Sequence, residues 1–313
     1  MSAYCAFSHF SAMLDRAGVD WWLCMFDFEI YWDNSEATPA TEKLPAFPMA
    51  IAACYISTKE QWTEFNRNWT DALTDAKIPF FHMTDFMASR EHGIKPYCDW
   101  DQPKRDRIYY RLANIINTRI RTGFVLGLPT EAFDLHTPQS VKDDLGKRHF
   151  TFAVRSTLDL VRNWYAIYGR GRAMQYVFDR MGKGKGEIID MFDLMKEYPA
   201  LAEQLGARPK ESEGISFQDK EIFKPLQAAD ILAWNMRAFM QTEISRGLPE
   251  NPSRLKPYFQ FLRKSPLRIG FFRDSDLAKG ANDMLDYEER EGRPAYIMSK
   301  KQVKERRKRE SQG

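Results

Sequence analysis

The chain has 313 residues, a formal net charge of +3, 43% hydrophobic and 28% charged residues, and 14% aromatics. That length and apolar content suffice for a packed core and exclude a low-complexity or largely disordered chain. No apolar run approaches the ~20 residues a membrane helix needs, and the four widely spaced cysteines (Cys5, Cys24, Cys54, Cys98) form no CxxC pair. The start, MSAYCAFSHF, shows no secretory pattern, so a cytoplasmic globular protein with reduced thiols is expected.

In chain order, residues 3–16 are weakly amphipathic and read as a lead-in helix within an N-terminal lead-in over 1–20. WWLCMFDFEIY (21–31) is an apolar, aromatic run that predicts a buried strand, followed by the turn-rich DNSEATPATEKLP. FPMAIAACYIS (47–57) predicts a second strand, and Ser57 with Glu60 spells a capping box at the start of a helix over 58–76. Trp62, Phe65, Trp69, Ala72 and Leu73 keep helical spacing there and read as a core stripe rather than a base-stacking platform. FFHMTDFMASR (80–90) reads as a short strand or turn leading into a helix. A helix follows over 102–120, then a strand over 123–129 stopped by Pro129, and a helix over 148–168.

MQYVFD (174–179) is a strand ending in an acid, with a glycine-rich turn and a helix over about 187–204 beyond it. ISF (215–217) begins a short strand. Pro225 opens a long helix to about 243, and a further helix is expected near 274–290. Three early strands with a helical insertion between the second and third, then alternating helix and strand, predict one mixed sheet flanked by helices, an α/β domain.

The informative residues are acids inside apolar elements, because a buried carboxylate costs several kcal/mol unless compensated. Asp27 lies within the first strand and Glu29 two residues on, on the same face. Asp179 ends its strand at the carboxyl edge, where α/β sheets place ligands. Asp230 sits in the apolar helix PLQAADILAW, with Gln227 one turn before it. His82 and Asp85 share a face if their segment is helical. Two carboxylates ~4 Å apart repel by about 4 kcal/mol at an effective dielectric of ~20, so a gathering of such acids calls for a cation. All-oxygen donors favour Mg²⁺ or Mn²⁺.

The blocks STKEQWTEFNRNWTDALTDAKIPFFHMTDF (57–86), YVFDRMGKGKGE (176–187), ISFQDK (215–220) and PLQAADILAW (225–234) resemble, in the same order, the domain of unknown function 3800 family, over roughly residues 21–240. The resemblance implies a ribonuclease H-like mixed sheet with a helical insertion and a C-terminal extension, and a metal-dependent nuclease site. With the elements and charge read above, the expected limits are 21–245 for that domain, 246–298 for the extension and 299–313 for a basic tail expected to be disordered. By position the resemblance assigns the metal-binding acids to Asp27, Asp179 and Asp230; Glu29, on the face of Asp27, is a further candidate ligand from its place in the strand. His82 and Asp85 match a His-x-x-Asp element, and Gln227 the glutamine before the last acid. The family pattern of Asp-Glu-Ser-Gly after the first strand is here Asp27-Phe28-Glu29-Ile30. That departure keeps a second reading open, a non-catalytic nucleic-acid-binding or interaction protein with a degenerate site.

Nucleic acid is the expected partner. Residues 300–313 carry seven Lys/Arg against two acids, +5 locally, which leaves −2 for the rest of the chain (3 − 5). Such a tail reads either as a phosphate-backbone contact or as a solvated terminus. Arg180, Lys183 and Lys185 beside Asp179 are candidate substrate-phosphate contacts, or a solvated turn. RMGKGKGE lacks P-loop spacing, and no Gly-x-Ser-x-Gly elbow is present. His82 stands as ligand, proton carrier or structural histidine, and Asp219 with Lys220 as an ion pair or a further element of the site.

Overall fold

A computed structural model describes residues 26–36, 47–139, 142, 146–168, 173–180, 184–197, 214–244, 257–262, 264 and 266–291. β1 (Phe26–Ser35), β2 (Met49–Ser57) and β3 (Thr122–Pro129) form an antiparallel meander. Between β2 and β3 stand α1 (Lys59–Ala76), α2 (Met83–His92), a 3₁₀ turn (Tyr97–Asp99) and α3 (Gln102–Arg119), the helical insertion expected from sequence. Next come α4 (Thr130–His136), α5 (His149–Tyr168), β4 (Ala173–Asp179), α6 (Lys185–Glu197), β5 (Ile215–Gln218) and α7 (Lys224–Ile244). The chain then adds α8 (Pro257–Leu262), β6 (Leu267–Phe271) and α9 (Asp274–Glu291).

The six strands lie in the order β5-β4-β1-β2-β3-β6, with β4 and β5 parallel to β1 on one side and β6 parallel to β3 on the other. β1, β4 and β5 therefore deliver their carboxyl ends to one edge, the position that positions the site. The region expected as a C-terminal extension supplies β6, the edge strand of this same sheet.

Helices cover both faces. On one, Tyr31, Tyr55, Val125 and Val177 pack against Trp62, Phe65 and Trp69 of α1, Leu112 and Ile116 of α3, and Ile231 and Met236 of α7. On the other, Phe28, Ile30, Trp32, Phe124 and Phe178 pack against Val154, Leu158 and Val161 of α5 and Ile188 and Phe192 of α6. The tryptophan–phenylalanine stripe of α1 is thus core, with Phe65 stacked on Trp69 at a centroid distance of 4.8 Å. No described helix is long and apolar enough to cross a membrane.

Several boundaries move from their sequence-based positions. β1 continues past the apolar run to Ser35, through residues whose composition reads as a turn. The α1 capping box is Thr58–Gln61, one residue on from Ser57–Glu60, with the Gln61 amide donating to Thr58 Oγ1 at 3.3 Å. Ser57 is still strand, paired with Glu29, and its hydroxyl donates to the Arg119 carbonyl at 2.9 Å. Residues 83–92 are helix α2, with His82 at its N-cap. The lead-in, the start of the first apolar run and the basic tail lie outside the described residues.

Candidate functional site

Strand register brings two acids together. Trp32 of β1 is level with Phe178 of β4, so Asp33 and Asp179, one residue on, lie on adjacent parallel strands where β4 ends. Alternation puts Phe28, Ile30 and Trp32 on the α5 face and leaves Tyr31 and Asp33 on the α7 face. There Asp230, in the second turn of α7, meets them. Asp33 and Asp230 are only 2% and 6% exposed.

The fourth member is a cation. After β5, a turn held by hydrogen bonds from the Ile222 and Phe223 amides to the Asp219 carbonyl reverses the chain toward α7. The Asp219 carboxylate accepts from the Glu221 amide at 2.9 Å and tightens the turn. Lys220, at its tip, turns inward: its Nζ lies 3.4 Å from Asp33 Oδ2, 3.2 Å from Asp179 Oδ2 and 3.2 Å from Asp230 Oδ1. Three carboxylates from β1, β4 and α7 thus converge on one ammonium.

The backbone of Lys220 is pinned on both sides. Its amide donates to Asp179 Oδ1 at 3.2 Å, and its carbonyl accepts from Gln227 Nε2 at 2.7 Å. Asp230 Oδ2 accepts from the Met83 amide at 2.7 Å, which ties α7 to the start of α2. Asp33 Oδ2 faces the lysine, whereas its buried Oδ1 has no hydrogen-bond partner among the described residues. A buried carboxylate oxygen left in that state is costly, and in a native structure it calls for an explanation.

Electrostatics follow from burial and charge count. Burial opposes the Lys220 charge, but Asp33, Asp230 and Asp179 outweigh it and hold the ammonium above its ordinary range. Burial pushes the Asp33 carboxyl well up; Lys220 pulls it down, and the neighbouring Asp230 and Asp179 push it up again. One ammonium thus faces three carboxyl groups at this centre.

His82 and Asp85 stand at its rim. His82 Nδ1 lies 3.0 Å from Asp85 Oδ2, and its Nε2 lies 3.8 Å from Asp230 Oδ1. Both side chains are part-exposed, so this pair forms the solvent side of Asp230. Gln227 is fully buried beneath the centre. Its Oε1 accepts from Trp69 Nε1 at 2.8 Å and from the Phe81 amide at 3.0 Å, while its Nε2 holds the Lys220 carbonyl. Every polar atom of that amide is engaged with the fold, so Gln227 orients the centre from below and does not face a substrate.

The first-strand assignment requires correction. Asp27 is the extra residue of an irregularity at the amino end of β1, between Phe26 paired with Ala173 and Phe28 paired with Met174. It precedes Asp33 by six residues, about 20 Å along a strand rising ~3.3 Å per residue. Glu29 is four residues, about 13 Å, short of Asp33 on the same reckoning. Its Oε2 accepts the Tyr31 hydroxyl at 3.0 Å, and burial raises its carboxyl above the ordinary range. Asp33, not Asp27 or Glu29, stands with Asp179 and Asp230 because β1 runs on past the apolar segment. The strand's alternation of apolar Phe28, Ile30 and Trp32 with Glu29, Tyr31 and Asp33 was the signal that could have located it.

Of the basic candidates, Arg180 Nη1 lies 3.4 Å from Asp219 Oδ2 with its side chain largely exposed. Lys185, at the start of α6, is exposed with its Nζ 4.8 Å from the centroid of the Phe217 ring. Lys183 lies outside the described residues.

By the chemistry of its donors, the centre fits a hard divalent cation: three carboxylates, one with an open oxygen. The common point of those donors is taken by Lys220 Nζ. Among the described residues no group of three or more His, Cys, Asp or Glu is arranged to hold an ion. A cation at the point that the ammonium holds requires the ammonium to move aside. Compared with known proteins, the chain matches no protein-family model and no curated protein.

Proposed function

We propose that the protein is a phosphodiester hydrolase acting on nucleic acid, built on a ribonuclease H-like sheet, with Asp33, Asp179 and Asp230 as its carboxylate centre and Mg²⁺ or Mn²⁺ as its cofactor. The observation that carries this reading is the convergence of three acids from β1, β4 and α7 on a single point at the carboxyl edge of the sheet. The strand order supports it, an antiparallel meander extended by two strands parallel to the first. So does the text Asp33-Asn34-Ser35 at the end of β1, a closer counterpart of the Asp-Glu-Ser-Gly pattern of the domain of unknown function 3800 family than the text around Asp27.

The three aspartates would hold the metal, which in such centres activates a water and stabilises the leaving oxygen. The remaining work falls to the chain itself. His82, beside Asp230, is placed to carry a proton at the rim through Nδ1 or Nε2. Gln227 and Asp179 fix the 219–222 turn. Exposed Arg180 and Lys185 flank the edge and offer positive charge to a phosphate backbone, so binding should weaken steeply with salt.

Cleavage of single- and double-stranded DNA and RNA, with Mg²⁺, Mn²⁺ or chelator, tests the proposal. Parent protein should cut at least one substrate only with metal, and Asp179→Asn or Asp230→Asn should abolish cutting while remaining folded. Equal cutting by parent and variants would end the enzymatic reading. A second reading, a nucleic-acid-binding protein with a degenerate site, draws on one observation, the lysine at the centre. It predicts salt-sensitive binding of the same substrates with no metal-dependent cleavage.

A further inference from the structure

Three features of Lys220 belong together. Its Nζ is within 3.2–3.4 Å of a carboxylate oxygen from each of Asp33, Asp179 and Asp230. Its backbone is clamped by Asp179 and Gln227, so the turn stays fixed whatever the side chain does. Its side chain is nonetheless 23% exposed, which leaves a way out to solvent through rotation about its own bonds. The ammonium and a divalent ion cannot share the centre, because both need the same oxygens and like charges at such a separation repel strongly. The ammonium meets Asp33 only through Oδ2 and leaves the buried Oδ1 without a partner, so the lysine is an incomplete occupant.

We propose that Lys220 is a tethered resident cation that excludes divalent metal from the aspartate centre, and that metal enters only as the lysine side chain swings out. The proposal rests on the metal-centre reading above and adds a built-in competitor to it. A monovalent cation on a four-carbon stem keeps the acids folded together without metal. Its departure converts a closed ion-pair cluster into an open three-carboxylate site. Substrate phosphate at the rim, being anionic, gives the released ammonium a partner outside.

The test uses the full chain and Mn²⁺ alone, with bound ion measured by loss of the free-ion electron paramagnetic resonance signal. Lys220→Met should bind Mn²⁺ at least tenfold more tightly than the parent, and its melting temperature should rise more with added ion. Equal affinity in parent and Lys220→Met, with both lost on Asp33→Asn, would overturn the competition and leave the metal centre standing. Binding by neither protein would overturn the metal reading and this proposal with it. Should Lys220→Met fail to fold, the parent carries the test through amine acetylation read by mass spectrometry. Modification of Lys220 should rise with Mn²⁺ concentration; unchanged modification while Mn²⁺ is bound would overturn the proposal.

Discussion

Replacing Gln227 by leucine separates a support of the site from a participant in it. The side chain is completely buried and makes three hydrogen bonds, from Trp69 Nε1 at 2.8 Å, from the Phe81 amide at 3.0 Å and to the Lys220 carbonyl at 2.7 Å. Leucine fills a similar volume but leaves two donors and one acceptor without a partner. Each such group costs about 1–3 kcal/mol, so a loss of about 3–9 kcal/mol is expected, against a typical total of ~5–15 kcal/mol. At ~2–4 °C per kcal/mol for a domain of this size class, the melting temperature should fall by about 6 °C or more. Urea unfolding followed by circular dichroism, with calorimetry alongside, measures it. Gln227→Glu should be less harmful at the two donors and harmful at the third contact, where a carboxylate oxygen would face the Lys220 carbonyl. If Gln227→Leu melts within about 1 °C of the parent yet loses cleavage, the residue acts on substrate and the buried stitch is wrong.

Other outcomes follow from single positions. Asp27→Asn should leave cleavage and Mn²⁺ binding as in the parent, whereas Asp33→Asn should remove both, because only the second stands at the centre. Glu29 is raised by burial, so the folded state keeps its proton to higher pH than the unfolded chain. Its stability contribution is complete below the ordinary value of 4.5 and is lost as pH rises through the raised value; Glu29→Gln, which still accepts from Tyr31, should therefore melt above the parent at pH 7, with the gain vanishing near pH 4. Gly123→Ala would set a Cβ 2.5 Å from Tyr55 Cε1 and 2.9 Å from Leu267 Cδ1, against a fully buried tyrosine, and should cost about 1–3 kcal/mol in urea unfolding.

What the sequence made legible follows the range over which each signal acts. Asp179 and Asp230 stood out because one ends an apolar strand and the other interrupts an apolar helix, and both are local contrasts. The α1 stripe was readable for the same reason. Asp33 was hidden because Asp-Asn-Ser-Glu has the composition of a turn, while pairing with β2 and β4 keeps it extended. β6 was missed because five residues, LRIGF, become a strand only by lying parallel to β3. The role of Lys220 was undecidable between an ion pair and a site element, since its partners lie 10, 41 and 187 positions away in sequence.

Lys220 and the three aspartates make one ion-pair cluster, and a double-mutant cycle measures their coupling. Lys220→Met alone leaves three carboxylates facing each other without their ammonium and should cost about 3–5 kcal/mol. Adding Asp230→Asn relieves part of the repulsion, so the double variant should be more stable than Lys220→Met alone, with a coupling of about 1–3 kcal/mol in urea unfolding. Additivity within about 0.5 kcal/mol, with the double variant the least stable of the set, would contradict a shared centre.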